Sequence, residues 1–338
     1  MAFLTALFDL NGTTTRKQAL RVFLLVLAGF GVLFMVQAQA PAYDRLVYPP
    51  LGLILVWWTA TVVRRLHEAG HSGAWAVLLA VPLLGLFVSL AALLLRSDRP
   101  YNNSHAGLRA AGTVVQVLLV IFWLSRSIWV PYWSDSEAMK PTLMAGDYQI
   151  VRYADADSLS RGDIVVFRHP VTGTTVVSRL IALPGDRVKM QHGAPVLNGV
   201  ALPTQEEGLL REAFHPQGPA GVMPRCSNTV VGLGGVCELA IRREALPDGR
   251  SYLVGNVEDG AFADETEEMV VPPGRLFFLG DNRDSATDSR FAQGAGGLGF
   301  VPAENVIGRV SRVLFSTSAA QVWTVWNWRV DRIFGAVE

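Results

Sequence analysis

Cysteine is nearly absent from this 338-residue chain: Cys226 and Cys237 are the only two, too few for a zinc site built on thiolates. Net charge is absent too, with 29 basic residues against 29 acidic ones, and no basic stripe stands out that could follow a nucleic-acid backbone. There is no glycine-rich phosphate loop and no dinucleotide fingerprint. No cofactor and no nucleic-acid partner is therefore expected. His105, His169, His192 and His215 are scattered, and each reads as a surface or hydrogen-bonded histidine. A cleavable signal peptide is also missing from the reading, because the first apolar run starts late, at Val22, without a convincing small-residue cut site.

What the chain does have is apolar sequence in quantity, 50% of its residues, and a zero net charge made of two unlike halves. Residues 1–133 carry ten Lys and Arg against four Asp and Glu, and the remainder carries 19 against 25, so a basic half of +6 precedes an acidic half of −6. Four apolar runs lie in the basic half, at 22–40, 51–63, 74–95 and 113–130, and the lipid bilayer is the partner they imply. The third, at 22 residues, is long enough for a hydrocarbon core about 30 Å thick. The second is short, and is expected to begin earlier, tilt, or enter without crossing. Arg126, near the end of the fourth, can snorkel to the interface. Arg96, Arg99 and Arg109 place the loop between the third and fourth runs in the cytoplasm. Arg16, Lys17 and Arg21, with Arg64 and Arg65, fit that scheme only if the second segment is re-entrant.

The acidic half reads as strand-rich. Residues 148–153, 164–167, 174–181 and 276–279 are β-branched or aromatic and bounded by Gly, Pro and Asp, which predicts a mainly β domain. Its most informative stretch is Ser134-Asp-Ser-Glu-Ala-Met-Lys-Pro-Thr-Leu-Met-Ala-Gly-Asp147. Three blocks follow: Arg161-Gly-Asp-Ile-Val-Val-Phe167, then Arg179-Leu-Ile-Ala-Leu-Pro-Gly-Asp-Arg-Val188, then Gly280-Asp-Asn-Arg-Asp-Ser-Ala-Thr-Asp-Ser-Arg290. A trailing Gly299-Phe-Val-Pro-Ala-Glu-Asn-Val-Ile-Gly-Arg309 completes the order. Together these blocks resemble bacterial type I signal peptidases, the serine–lysine proteases that cut leader sequences from exported proteins.

The resemblance implies a helical polytopic membrane module joined to a β domain of twisted antiparallel sheets on the outer, periplasmic face of a bacterial inner membrane. Residues 1–111 would form the membrane module and 112–133 the anchor helix. The β domain would take 134–316, with 202–268 as a variable insertion or second β subdomain, and 317–338 an aromatic tail. Signal peptides or membrane proteins would be the partners.

The same resemblance exposes what is missing. The family's run is Ser-x-Ser-Met-x-Pro-Thr-Leu, and its second serine is the nucleophile; here Ser136, Met139, Pro141, Thr142 and Leu143 match, but Ala138 holds the nucleophile position. The catalytic lysine lies before the arginine of the second block, where this chain has Ser178. The serine that orients that lysine is replaced by Ala286. Arg179, Asp281, Arg283, Asp288 and Arg290 are retained. Serine–lysine chemistry requires a hydroxyl, a neutral amine and oxyanion donors in one place, and two of the three are gone. A catalytically inactive homologue follows, with Ser136, Met139 and Val177 lining what remains of the substrate groove. The blocks imply that Ala138, Ser178, Ala286 and Asp288 converge.

The alternative is an active signal peptidase with displaced groups. Ser136 is its best nucleophile, although in the family that position supplies an oxyanion donor. Lys140, four residues on, would lie about 13 Å away on an extended strand, and reads as a solvated lysine.

A third reading comes from His67-Glu-Ala-Gly-His71, which satisfies the H-E-x-x-H pattern of zinc proteases and would make His67 and His71 metal ligands with Glu68 as base. Gly70, Ser72 and Gly73 weaken the helix that this spacing needs. The surrounding Arg64-Arg-Leu-His-Glu-Ala-Gly-His-Ser-Gly-Ala-Trp75 instead resembles a membrane family known as domain of unknown function 805. In an oxidising compartment Cys226 and Cys237 would form a disulfide, contributing about 3 kcal/mol; two separately buried thiols are the alternative. The tail 323–334 gathers tryptophans beside Arg329 and Arg332, and either sits at a membrane surface or packs on the sheet.

Overall fold

The structure is a computed structural model that describes residues 9–10, 12–39, 44–80, 82–96, 106–228 and 230–337. It divides into two units, 1–128 and 129–338.

The first unit is helical. Helix α1 (Arg16–Gln39) starts at a capping box. The Gln18 N–H donates to Thr15 Oγ1 at 3.3 Å, and the Thr15 N–H donates to Gln18 Oε1 at 3.0 Å. Only Ala19 and Val26 of α1 are buried, and leucines such as Leu24, Leu25 and Leu27 stand exposed, as they would facing lipid. Helix α2 (Asp44–Glu68) is longer than its apolar run and carries Pro49 and Pro50 near its start. Of the described helices, α1 and α2 are long and apolar enough to cross a membrane.

Two expectations are corrected here. The run at 74–95 is not one helix: it is a 3₁₀ segment (Gly73–Ala80) followed by helix α3 (Pro82–Leu94). Proline lacks an N–H and is tolerated at a first helical position, so Pro82 begins a new helix. The run at 113–130 also ends early, because helix α4 (Ala106–Ser125) stops at Ser125 and residues 129–133 form a strand. Side chains tie the helices together. Phe23 meets Trp58 at 5.2 Å between ring centroids, Trp58 Nε1 donates to Ser89 Oγ at 3.2 Å, and Gly52 lets α2 approach Trp123 of α4 closely. Of the arginine cluster at 96–109, Arg99 and most of the loop that carries it lie outside the described residues.

The second unit is built from antiparallel strands. A seven-stranded sheet contains β1 (Trp129–Trp133), β2 (Asp147–Tyr153), β3 (Ile164–Arg168), β4 (Thr175–Ala182), β12 (Arg275–Leu279), β13 (Val301–Pro302) and β14 (Val306–Ser316). Their spatial order is β1-β2-β14-β3-β4-β12-β13. Strand β3 is buried on both faces, and Phe167 stacks on Phe278 at 4.3 Å. A smaller sheet, β11-β5-β6-β7, uses β5 (Arg187–Gln191), β6 (Ala194–Leu197), β7 (Val200–Ala201) and β11 (Met269–Val270). The insertion forms its own sheet from β8 (Thr204–Ala213), β9 (Val236–Ala245) and β10 (Ser251–Asn256). The mainly β expectation holds, with strands close to where the β-branched runs predict them.

Candidate functional site

The segment between β1 and β2 is a turn, not the extended strand that the spacing argument for Lys140 assumes. The Ser134 N–H donates to Asp147 O, and the Gly146 N–H to Ser134 O, both at 2.8 Å, closing the turn at its base. Met139 and Leu143 plug it into the core beside Val151 and Val166, at 1% and 0% exposure. Met139 therefore cannot present its side chain to a substrate; only its backbone can serve. Val177, half-buried on β4, packs against the same cluster.

Three sequence blocks meet at Gly280. A Cβ placed there would lie 2.2 Å from Ala286 Cβ and 2.7 Å from Ala138 O, so only glycine fits. Ala138 O also accepts the Asn282 N–H at 2.9 Å, and Asp288 Oδ2 accepts the Gly280 N–H at 3.0 Å. Ser178 is buried on β4, where Arg179 pairs with Leu279 of β12; carried on by one residue, that register sets Ser178 opposite Gly280. Ala138, Ala286 and Asp288 thus surround one glycine, with Ser178 on the neighbouring strand.

The retained charged residues form the scaffold of this place. Arg179 Nε and Nη2 each reach Asp281 at 2.7 Å, its Nη1 donates to Gly162 O at 2.7 Å, and its guanidinium lies 4.2 Å from the Tyr252 ring centroid. Burial works against the Arg179 cation, but the Asp281 carboxylate outweighs it and raises its pKa. Arg283 spans two elements, donating to Glu244 at 2.5 and 2.6 Å and to Gly280 O at 3.2 Å. Arg290 holds Asp288, at 2.8 Å from Oδ1. Asp186, from the Leu-Pro-Gly-Asp turn, pairs with Arg161 at 2.8 and 2.9 Å. Although burial opposes it, hydrogen bonds from Asn198, the Leu183 N–H and Arg161 keep that carboxyl below the ordinary range.

Lys140 is a correction. It is 1% exposed, and its Nζ donates to Glu137 Oε2 at 2.6 Å and to Glu212 of β8, so it is neither solvated nor offered to a serine. Burial pushes the Glu137 carboxyl up, partly offset by Lys140. Nothing in the sequence signals this trio, because Glu212 lies 72 positions from Lys140 in the insertion. Chain spacing carries no trace of that contact.

An open cleft of about 490 Å³ lies beside the turn, with Ser136, Glu137, Ala286 and Phe291 among its lining residues. Cys226 and Cys237 form a disulfide with a Cα separation of 5.1 Å. Arg225, next to Cys226, donates to Asp284 O at the cleft. The tail divides its duties. Arg329 donates to Ala145 O at 3.0 Å and Arg332 to Thr142 O at 2.9 Å, while Trp323 and Trp326 remain exposed.

The zinc reading loses its geometry. Helix α2 ends at Glu68, so His67 sits buried in the last turn and His71 lies beyond the helix, past Gly70. Among the described residues no group of three or more His, Cys, Asp or Glu is placed to hold a metal.

Comparison with known proteins agrees with this architecture. The family described as signal peptidase, peptidase S26, matches residues 108–315, and a protein family of unknown function, domain 805, matches residues 7–107. Signal peptidase I of Rickettsia typhi is 34% identical over 165 residues, 46% of this chain and 52% of that protein. The Rickettsia massiliae protein of the same name is 28% identical over 246 residues, 64% of this chain and 82% of that protein. This chain spans about half the length of the first of these relatives. A crystal structure of a signal peptidase I from Enterococcus faecalis is 25% identical, covering 45% of this chain and 96% of that one, with a TM-score of 0.24. With a family match over more than half its residues, the chain belongs to the signal peptidase S26 family.

Proposed function

We propose that this protein is a non-cleaving signal-peptidase-like membrane protein, which binds signal peptides, membrane proteins or a partner complex through the family's groove. The observation that carries the reading is the side-chain set around Gly280: a methyl at Ala138 in the nucleophile position, a methyl at Ala286, and no amine at Ser178. A methyl cannot attack a carbonyl, and Lys140, the nearest lysine in sequence, is committed to two carboxylates. In serine proteases, loss of the nucleophile or base alone lowers turnover on the order of 10⁶-fold. Main-chain pairing with an extended peptide does not need the catalytic side chains, so a groove can outlive them.

Placement of the β domain on the periplasmic side of a multi-pass inner-membrane protein is part of the same proposal. It is supported by the disulfide, which suits an oxidising compartment, and by the exposed Trp323 and Trp326, whose rings suit a headgroup region.

The test is a cleavage assay with purified full-length protein in detergent and a preprotein substrate. It runs beside a triple variant, Ala138→Ser, Ser178→Lys, Ala286→Ser. The wild-type chain is expected to leave the preprotein intact where an authentic type I enzyme cuts it. Cleavage that disappears in Ser136→Ala would sink the proposal and make displaced catalysis the correct reading.

A further inference from the structure

The cleft beside Ala286 has an unbalanced charge. Asp135, Glu137 and Asp284 border it, against the single cation Arg225, whose Nη1 is donated to the Asp284 backbone carbonyl. Lys140 Nζ donates to both Glu137 and Glu212, and the Arg329 cation also acts on both carboxylates. Glu137 is 6% exposed, and its Oε1 is buried without a hydrogen-bond partner. Ser285 Oγ, also at the cleft, has none either. A buried acceptor left unmatched is a standing cost, so this corner gains when a donor with positive charge arrives. The lining also includes the apolar side chains of Val222, Met223 and Phe291. Lysine and arginine combine those two demands, an aliphatic stem and a cationic head.

Resting on the peptide-binding reading above, we propose that this cleft selects a peptide segment carrying a basic side chain, with the stem along Val222 and Met223 and the head against Glu137 and Asp135. This specificity is for a side chain, and adds to the main-chain pairing that the groove would offer any extended peptide. It would direct the protein toward cation-bearing segments of its clients.

The test is fluorescence anisotropy with full-length protein in detergent. The parent probe is a labelled alanine-rich peptide, and a single lysine or glutamine is walked along it. At one position lysine is expected to tighten binding about tenfold or more over glutamine, and Glu137→Gln should remove most of that gain. Asp135 is exposed, so Asp135→Asn serves as a second variant that does not threaten folding, and it should reduce the gain as well. If the parent binds but lysine helps nowhere, the cation preference is wrong while the groove survives. A lysine gain that both variants leave intact also overturns it. If no peptide binds, the peptide-binding reading fails and takes this inference with it.

Discussion

A guanidinium closed off from water has to be answered completely by its neighbours, and Arg179 is answered by Asp281, Gly162 O and the face of Tyr252. Both members of the ion pair are at most 2% exposed. Removing one leaves the other as an uncompensated buried charge, which typically costs about 3–5 kcal/mol. Asp281→Ala is therefore expected to destabilise the β domain by that amount, read from denaturant unfolding followed by tryptophan fluorescence. A loss below about 1 kcal/mol would mean that the pair is not the anchor its geometry indicates. Arg179 and Asp281 were legible in the sequence because both belong to matching blocks. Lys140 was not. Reading four residues as an extended strand placed it in solvent, whereas the turn buries it against a carboxylate from another sheet.

At the level of elements, the crossing of β4, β12 and the turn depends on one residue without a side chain. Gly280→Ala would force a methyl into the space already filled by Ala286 and the Ala138 carbonyl. Overpacking of this kind costs typically about 1–3 kcal/mol. The expected outcome is that loss in Gly280→Ala, with partial recovery when Ala286→Gly is added, measured as a double-mutant cycle; strict additivity would show that the two sites do not touch. Strands β2, β3, β4 and β12 could be read from β-branched runs between turn residues, since pattern and burial agree there; the other strands of the β unit were not read. Helix limits could not. Residues 113–130 are mostly apolar, but the helix stops at Ser125, where Ser125-Arg-Ser127 interrupts the run, and the strand that follows uses the apolar Trp129 and Val130 for sheet packing. Hydrophobicity alone does not distinguish lipid-facing helix from core-facing strand.

For the whole molecule, the disulfide doubles as a report on location. In membranes prepared with free thiols blocked, a maleimide-polyethylene glycol reagent is expected to leave the chain unmodified until a reductant is added, then to attach to both Cys226 and Cys237. Failure to label even after reduction, because both thiols were free and already blocked, would place the β domain in a reducing compartment. The two-part plan, apolar helices then antiparallel sheets, was visible in composition alone, because lipid and a small β core select different residue patterns. The cleft and its acidic border were not, since they are assembled from the 134–146 turn, the 222–225 loop and the 284–291 segment.

Burial of the altered positions also bears on descent. Ser178 and Ala286 are 3% and 7% exposed, and Ala286 already presses on Gly280. A lysine returning alone at 178 would be an amine shut away with neither hydroxyl to meet it, an arrangement that burial disfavours. A serine returning alone at 286 would add an oxygen to a crowded corner with no amine to bond. Neither of these steps by itself sets a nucleophile beside a base. On the non-cleaving reading, serine–lysine chemistry needs changes at Ala138, Ser178 and Ala286 together, and the two buried positions resist being changed alone.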